Sequence, residues 1–167
     1  LDELPNMGKL AIVSPDPGNL KAASFYAELL GADLAFIDKR RKSASSVAMT
    51  NIVGDIAGKT ILMIDDMITT GGTISEASKI LKEHGGGRIY VAATHGVFAG
   101  QAIERISRSP IERLVITDTI PVCDRLAPII DRLQVLSVAP LIGEAIKRIH
   151  LNQSVSAVLK GADGGKR

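Results

Sequence analysis

At 167 residues the chain suits one domain or part of a larger protein, and 46% hydrophobic against 23% charged residues, with a mean hydropathy of +0.20, excludes a disordered polypeptide. Twenty Lys and Arg against 18 Asp and Glu leave a formal charge of +2, too balanced for a dedicated nucleic-acid or membrane-surface protein. Two Tyr, three Phe and no Trp supply too few platforms for base stacking, and the single cysteine, Cys123, excludes an internal disulfide and a Cys-based zinc site.

A reducing, cytoplasmic location is the expectation from this cysteine usage. No apolar run approaches the ~18 residues of a membrane span, and residues 1–14 carry no secretory leader pattern. The first residue is Leu, not Met, which suggests a processed or partial chain.

Residues 9–14 (KLAIVS) read as a buried strand and residues 19–30 as a helix stopped by Gly31. A second strand covers 34–38 (LAFID), followed by the small, basic loop 39–46 (KRRKSASS). Residues 51–58 (NIVGDIAG) suggest a short strand and turn forming an edge hairpin, before a strand at 60–65 (TILMID). The pattern continues with a helix at 73–84, stopped by Gly85, Gly86 and Gly87, and strands at 89–94, 114–117 and 135–138. Helices fall at 101–107 and 141–150. Continuous apolar strands predict a sheet covered on both faces, and strand–helix repetition predicts parallel pairing with right-handed crossovers. The expected fold is α/β: a doubly wound, mainly parallel sheet with helices on both faces, forming one domain over residues 1–159 with a flexible tail at 160–167.

The most informative stretch is residues 61–75, ILMIDDMITTGGTIS. Apolar residues run into Asp65 and Asp66, and Thr69, Thr70, Gly71, Gly72 and Thr73 then open a helix, at the strand end where open α/β sheets bind ligands. Gly71 and Gly72 allow close backbone approach, the first amides of the helix lack helical partners, and three threonine hydroxyls add donors, which makes a phosphate cradle. Adjacent carboxylates on a strand point to opposite faces, so both could reach one ligand only where the strand is ending. As acceptors they suit sugar hydroxyls or a hydrated Mg²⁺ and would repel the phosphate, so the combination describes a sugar phosphate. The same residues also permit a plainer reading, in which Asp66 or a threonine caps the helix.

The apolar run followed by Asp-Asp-x-x-x-Thr-Gly-Gly-Thr resembles the phosphoribosyl diphosphate signature of the type I phosphoribosyltransferase fold. With VSPDPGN (13–19), FIDKRR (36–41), ATHGVFAG (93–100) and TDTIPV (117–122), the chain is similar, from about residue 9 to 159, to the carboxyl-terminal half of ribose-phosphate diphosphokinases. That family transfers the diphosphoryl group of ATP to the 1-hydroxyl of ribose 5-phosphate, giving phosphoribosyl diphosphate and AMP. The resemblance implies that Asp65 and Asp66 hold the ribose hydroxyls and that Thr69, Thr70, Gly71, Gly72 and Thr73 grip the 5-phosphate. It further implies that Lys39 and Arg41 act on a closing catalytic loop, Arg41 also meeting substrate, and that Asp16 is associated with Mg²⁺. Lys and Arg suit a transfer that spreads negative charge over phosphoryl oxygens. Read alone, residues 39–42 would be a solvated basic loop, and Asp16 serves equally as a helix cap.

The resemblance also implies a homo-oligomer without nucleic-acid or membrane partners, and an ATP site completed by a homologous amino-terminal half. Residues 1–167 contain no second α/β repeat and no Walker-type motif, so the chain by itself is expected to bind ribose 5-phosphate weakly and to transfer nothing. Thr69 stands where the family usually has Asp, Pro17 and Asn19 replace a glycine-rich pattern, and KSASSVAMT after Arg41 departs from the common loop. Two other functions share the signature. A phosphoribosyltransferase acting on a base would need a base-binding hood, which neither end of the chain resembles. A regulatory, synthetase-associated subunit is supported by Thr69 and opposed by retention of Lys39, Arg41, Asp65 and Asp66. His95, His84, His150 and Cys123 are expected to be structural.

Overall fold

The computed structural model describes residues 9–40 and 49–160. Its strands are β1 (Leu10–Ser14), β2 (Asp33–Arg40), β3 (Met49–Val53), β4 (Thr60–Ile68), β5 (Ile89–Gly96), β6 (Arg113–Thr117) and β7 (Leu133–Leu136). They lie in the order β3-β2-β1-β4-β5-β6-β7, parallel throughout except for the β2–β3 edge hairpin. The helices are α1 (Leu20–Leu30), α2 (Gly72–Glu83), α3 (Ala102–Ser107), α4 (Ala139–His150) and α5 (Ser156–Lys160).

Alternation along β4 divides the core. Ile61 and Met63 face the side of α2 and α3, where Ile74, Ala77, Leu81, Ala102 and Ile106 pack. Leu62 faces the opposite side with Ile12 and Tyr90, under Ala23 and Ala27 of α1.

Helices lie on both faces of the mainly parallel sheet, as expected, but they cover the two faces unequally. The crossovers through α2, α3 and the 3₁₀ segment Asp124–Arg132 all run over one face, burying Leu126 and Ile129 there. Only α1 crosses the other face. An apolar trough of ≈ 320 Å³ therefore remains beside α1, lined by Leu29, Leu62, Ile64, Ala92, Val115 and Leu136 among others, with Leu136 48% exposed. No residue of α4 is buried, and Leu141, Ile142, Ile146 and Ile149 are exposed.

Several boundaries also differ. β4 continues to Ile68, which is buried and pairs with Gly96, so the strand does not end at the acidic pair. β2 extends through Lys39 and Arg40 because β3 returns antiparallel along it, pairing Lys39 with Thr50. β7 begins two positions early, and α4 starts at Ala139 with a proline in its first turn, where a missing N–H costs nothing. Lys160 ends α5, and the expected tail otherwise lies at 161–167, outside the described residues.

At the amino end of β4, buried Lys59 forms ion pairs with Asp33 and Asp55, each at 2.8 Å. Hydrogen bonds to these carboxylates hold the ammonium above its ordinary value, and Lys59 with the Ala57 amide holds Asp55 below its usual 3.8. A carboxylate with a depressed pKa contributes stability above its unfolded value and loses it as pH falls through the folded value. Asp55→Asn is therefore expected to melt below the wild type at neutral pH and to converge with it in acid, as thermal melts at both pH values would record.

Candidate functional site

The chain crosses from β1 to β2 over one face and from β4 to β5 over the other, so the carboxyl ends of the adjacent strands β1 and β4 open a crevice. Asp16 follows β1 at this crevice. Its Oδ1 accepts from the amides of Gly18 (2.8 Å) and Asn19 (3.2 Å), capping the 3₁₀ turn Pro17–Asn19. The capping role open in the sequence is thus realised on one carboxylate oxygen. Asn19 Nδ2 donates to the Ile64 carbonyl at 2.6 Å, bracing this turn against β4 one residue before Asp65.

Beyond β4, consecutive carbonyls are held from the β5–α3 connection. Ile68 O accepts from the amides of Val97 and Phe98, both at 3.1 Å, and Thr69 O accepts from Ala99 at 2.8 Å. Thr70 O accepts from Arg105 Nη1 at 3.1 Å. In a trans peptide the N–H points opposite to the C=O it shares a plane with. Holding these carbonyls toward β5–α3 turns the amides of Thr69, Thr70 and Gly71 the other way. There the loop from Thr69 to Thr73 and Asp65 line a small hollow of ≈ 80 Å³. Gly71, at φ +67°, is the N-cap of α2 and receives no side-chain capping bond, so the reading in which Asp66 or a threonine caps this helix is not realised. The positive end of α2 is left to whatever enters the loop.

Asp65 is half-buried and Asp66 exposed. Burial first, then the neighbouring carboxyl of Asp66 and the charge of Asp16, hold the Asp65 carboxyl above its ordinary 3.8, partly offset by the Asp66 amide that donates to Asp65 Oδ1 at 2.9 Å. The acidic side chains therefore act on one another although β4 continues past them, and a cation or a pair of sugar hydroxyls would relieve the repulsion. Among the described residues no group of three or more His, Cys, Asp or Glu could hold a metal ion. Mg²⁺ usually keeps several waters and binds through one or two carboxylates plus substrate phosphate, and these residues fit that mode.

Lys39 lies at the carboxyl end of β2, two strands from β4, inside the hairpin and not in a loop. Arg41 falls outside the described residues. His95 hydrogen-bonds Thr119 Oγ1 at 2.9 Å, consistent with the structural part expected of it, while Cys123 is exposed. Sequence reasoning missed the β5–α3 clamp. Phe98 carries it at φ +49°, a conformation rare for a bulky residue, enforced by burial of the ring to 1% exposure. A backbone clamp leaves little trace in side-chain chemistry; the one available signal is Arg105, four residues after Gln101.

The strand order with its antiparallel edge, and a glycine loop opening a helix beyond the central strand, place the chain among domains of the type I phosphoribosyltransferase fold. An adenine phosphoribosyltransferase structure shares that fold, with a TM-score of 0.51 and 16% identity over 62% of this chain and 66% of the other. A phosphoribosylpyrophosphate synthetase from Mycobacterium smegmatis superposes with a TM-score of 0.78 and 37% identity, covering 86% of this chain and 46% of that one. Residues 45–160 match the family model described as phosphoribosyl synthetase-associated domain, and the chain belongs to that family. It is 50% identical over 147 residues to a ribose-phosphate pyrophosphokinase of Caldanaerobacter subterraneus, covering 88% of this chain and 46% of the relative. It is 47% identical over 156 residues to one of Gloeobacter violaceus, covering 92% and 46% respectively. The chain thus spans about half the length of the curated relatives it matches. No helix among the described residues is long and apolar enough to cross a membrane.

Proposed function

We propose that the chain is the carboxyl-terminal, ribose 5-phosphate-binding half of a ribose-phosphate diphosphokinase. The observation that carries this reading is the turned-out amides of Thr69, Thr70 and Gly71 beside Asp65 and Asp66, in a chain half identical to proteins of that name. In this reading the 5-phosphate sits on the loop amides, the hydroxyls of Thr69, Thr70 and Thr73, and the amino end of α2. The carboxylates of Asp65 and Asp66 accept from the ribose hydroxyls, which fixes the sugar about its own axis and presents the 1-hydroxyl outward. Lys39 and Arg41 neutralise charge on the transferred diphosphoryl group. Asp16 would help hold a hydrated Mg²⁺, which when bound offsets the charge of the phosphoryl oxygens. ATP, the transfer itself, assembly into a homo-oligomer and a cytoplasmic location belong to the whole protein of this reading.

The description of the matched family and Thr69 in place of the usual Asp favour a second reading, a synthetase-associated subunit that binds the same sugar phosphate without turnover. Calorimetric titration with ribose 5-phosphate, using ribose as comparator, tests the shared site. An assay of AMP release from ATP, in the protein extended to the length of its relatives, separates the two. Binding with AMP release supports the first reading, and binding without release supports the second. Diphosphate release from phosphoribosyl diphosphate only when a purine or pyrimidine base is added would overturn both.

A further inference from the structure

We infer that Arg105 of α3 is a positioning residue for the phosphate loop, acting on the Thr70–Gly71 peptide; this deepens the proposed ribose 5-phosphate site and rests on it. The loop is anchored at both ends by regular structure. On the strand side Ile68 pairs with Gly96, and on the helix side Ser75 N donates to Gly71 O at 3.1 Å. Between them, the Thr69 carbonyl is held by the Ala99 amide, and the Thr70 carbonyl is held by a side chain, Arg105.

That distinction matters because the peptide preceding a glycine turns over easily. Gly71, at φ +67°, accepts both signs of φ at little cost, so rotation of the Thr70–Gly71 plane is opposed mainly by what holds its oxygen. A flipped plane would replace the Gly71 N–H with the Thr70 carbonyl in the hollow, exchanging a donor for an acceptor that repels phosphate. Arg105 suits the task. Its neighbours Ala102 and Ile106 are fully buried and fix α3, while Gln101 Oε1, one helical turn back, accepts from Nη2 at 3.3 Å and sets the guanidinium plane. A forked cation can serve both acceptors at once, which the point charge of lysine does less well. The side chain itself is exposed, so its role in overall stability is small.

The test compares wild type with Arg105→Met, Arg105→Lys and the control Arg108→Met, whose native side chain pairs with Glu104 at 2.9 Å on the same helix. Backbone ¹⁵N relaxation dispersion of the ligand-free proteins is expected to show added conformational exchange at Thr70 and Gly71 in Arg105→Met, with partial recovery of the fixed loop in Arg105→Lys. Calorimetry is expected to show ribose 5-phosphate binding weakened about tenfold in Arg105→Met, the scale of one lost charge-assisted hydrogen bond, and unchanged in Arg108→Met. Thermal melts should be nearly superimposable. Unaltered loop relaxation in Arg105→Met, or equal affinity in wild type and variant, overturns the positioning role while leaving the sugar-phosphate site standing. Increased loop motion in a protein that binds no ribose 5-phosphate in any form supports the hold on the loop and overturns the function proposed for the site.

Discussion

Converting both Asp65 and Asp66 to Asn is expected to weaken ribose 5-phosphate binding by about a hundredfold and to raise the melting temperature of the ligand-free protein at neutral pH. The first effect follows from charge-assisted hydrogen bonds to two sugar hydroxyls, each contributing about 1.5–3 kcal/mol, of which an amide retains only the neutral remainder. The second follows from the cost of keeping Asp65 ionised where burial, Asp66 and Asp16 all favour its proton. A group whose folded pKa lies above its unfolded value contributes stability that is fully present below the unfolded pKa and lost as pH rises through the folded one. At neutral pH wild type has lost that stability and the Asn variant has not, while in acid the two should converge. The amide donated by Asp66 to Asp65 Oδ1 survives, since Asn offers the same oxygen. Calorimetry and thermal melts at neutral and acid pH check both effects. A variant that melts lower at neutral pH would overturn the strain assigned to Asp65, and one that binds as tightly as wild type would remove the pair from the sugar site.

This sign is opposite to that at the other end of β4, where Asp55 and Lys59 gain from ionisation. The strand carries a satisfied charge cluster at its amino end and a dissatisfied one at its carboxyl end. Such placement is economical only if something arrives to satisfy the second, which agrees with a ligand at the crevice.

Much of the fold and of the crevice is legible in the order of residues alone. Val- and Ile-rich runs locate β1, β5 and β6, Gly31 marks the end of α1, and Asp65 through Thr73 locate the crevice, because apolar periodicity and turn glycines are local signals. What escapes is set by distant contacts. Residues 34–38 give no sign that β2 extends through Arg40, because β3 supplies the pairing. β4 looks finished at Asp65 because carboxylates are poor sheet residues, yet Ile68 is buried and carries the strand onward. The bare half of the sheet is hidden as well: Ile64, Ala92 and Val115 have the composition of covered strands, and only the topology shows that the later crossovers choose the other face. The clamp on the loop uses main-chain amides of Val97, Phe98 and Ala99, to which residue identity is nearly blind.

The second large effect is expected from Gly71→Ala. At φ +67° an alanine costs about 1–2 kcal/mol for conformation alone. The added Cβ would also lie 3.3 Å from Ala102 O and from two carbons of the Ile106 side chain, tighter than ordinary contact. Neither neighbour yields easily: one is helix backbone, and the other is fully buried in the core. Relief requires α3 to move away from the loop, and α3 carries Arg105, so the strain and the loss of the Thr70 hold come together. The total is expected to reach about 2–4 kcal/mol of stability, with ribose 5-phosphate binding reduced beyond a hundredfold because the Gly71 and Gly72 amides leave their places. Gly31→Ala supplies the comparison. That glycine has φ +60°, with nothing within 4 Å of an added Cβ, so it bears the conformational cost without the clash and lies away from the crevice. Chemical denaturation should therefore place Gly31→Ala about 1–2 kcal/mol below wild type, with ligand affinity intact. Equal losses of stability in the two variants would show that α3 accommodates the methyl group, and that the close approach at Gly71 is not what holds the phosphate loop in shape.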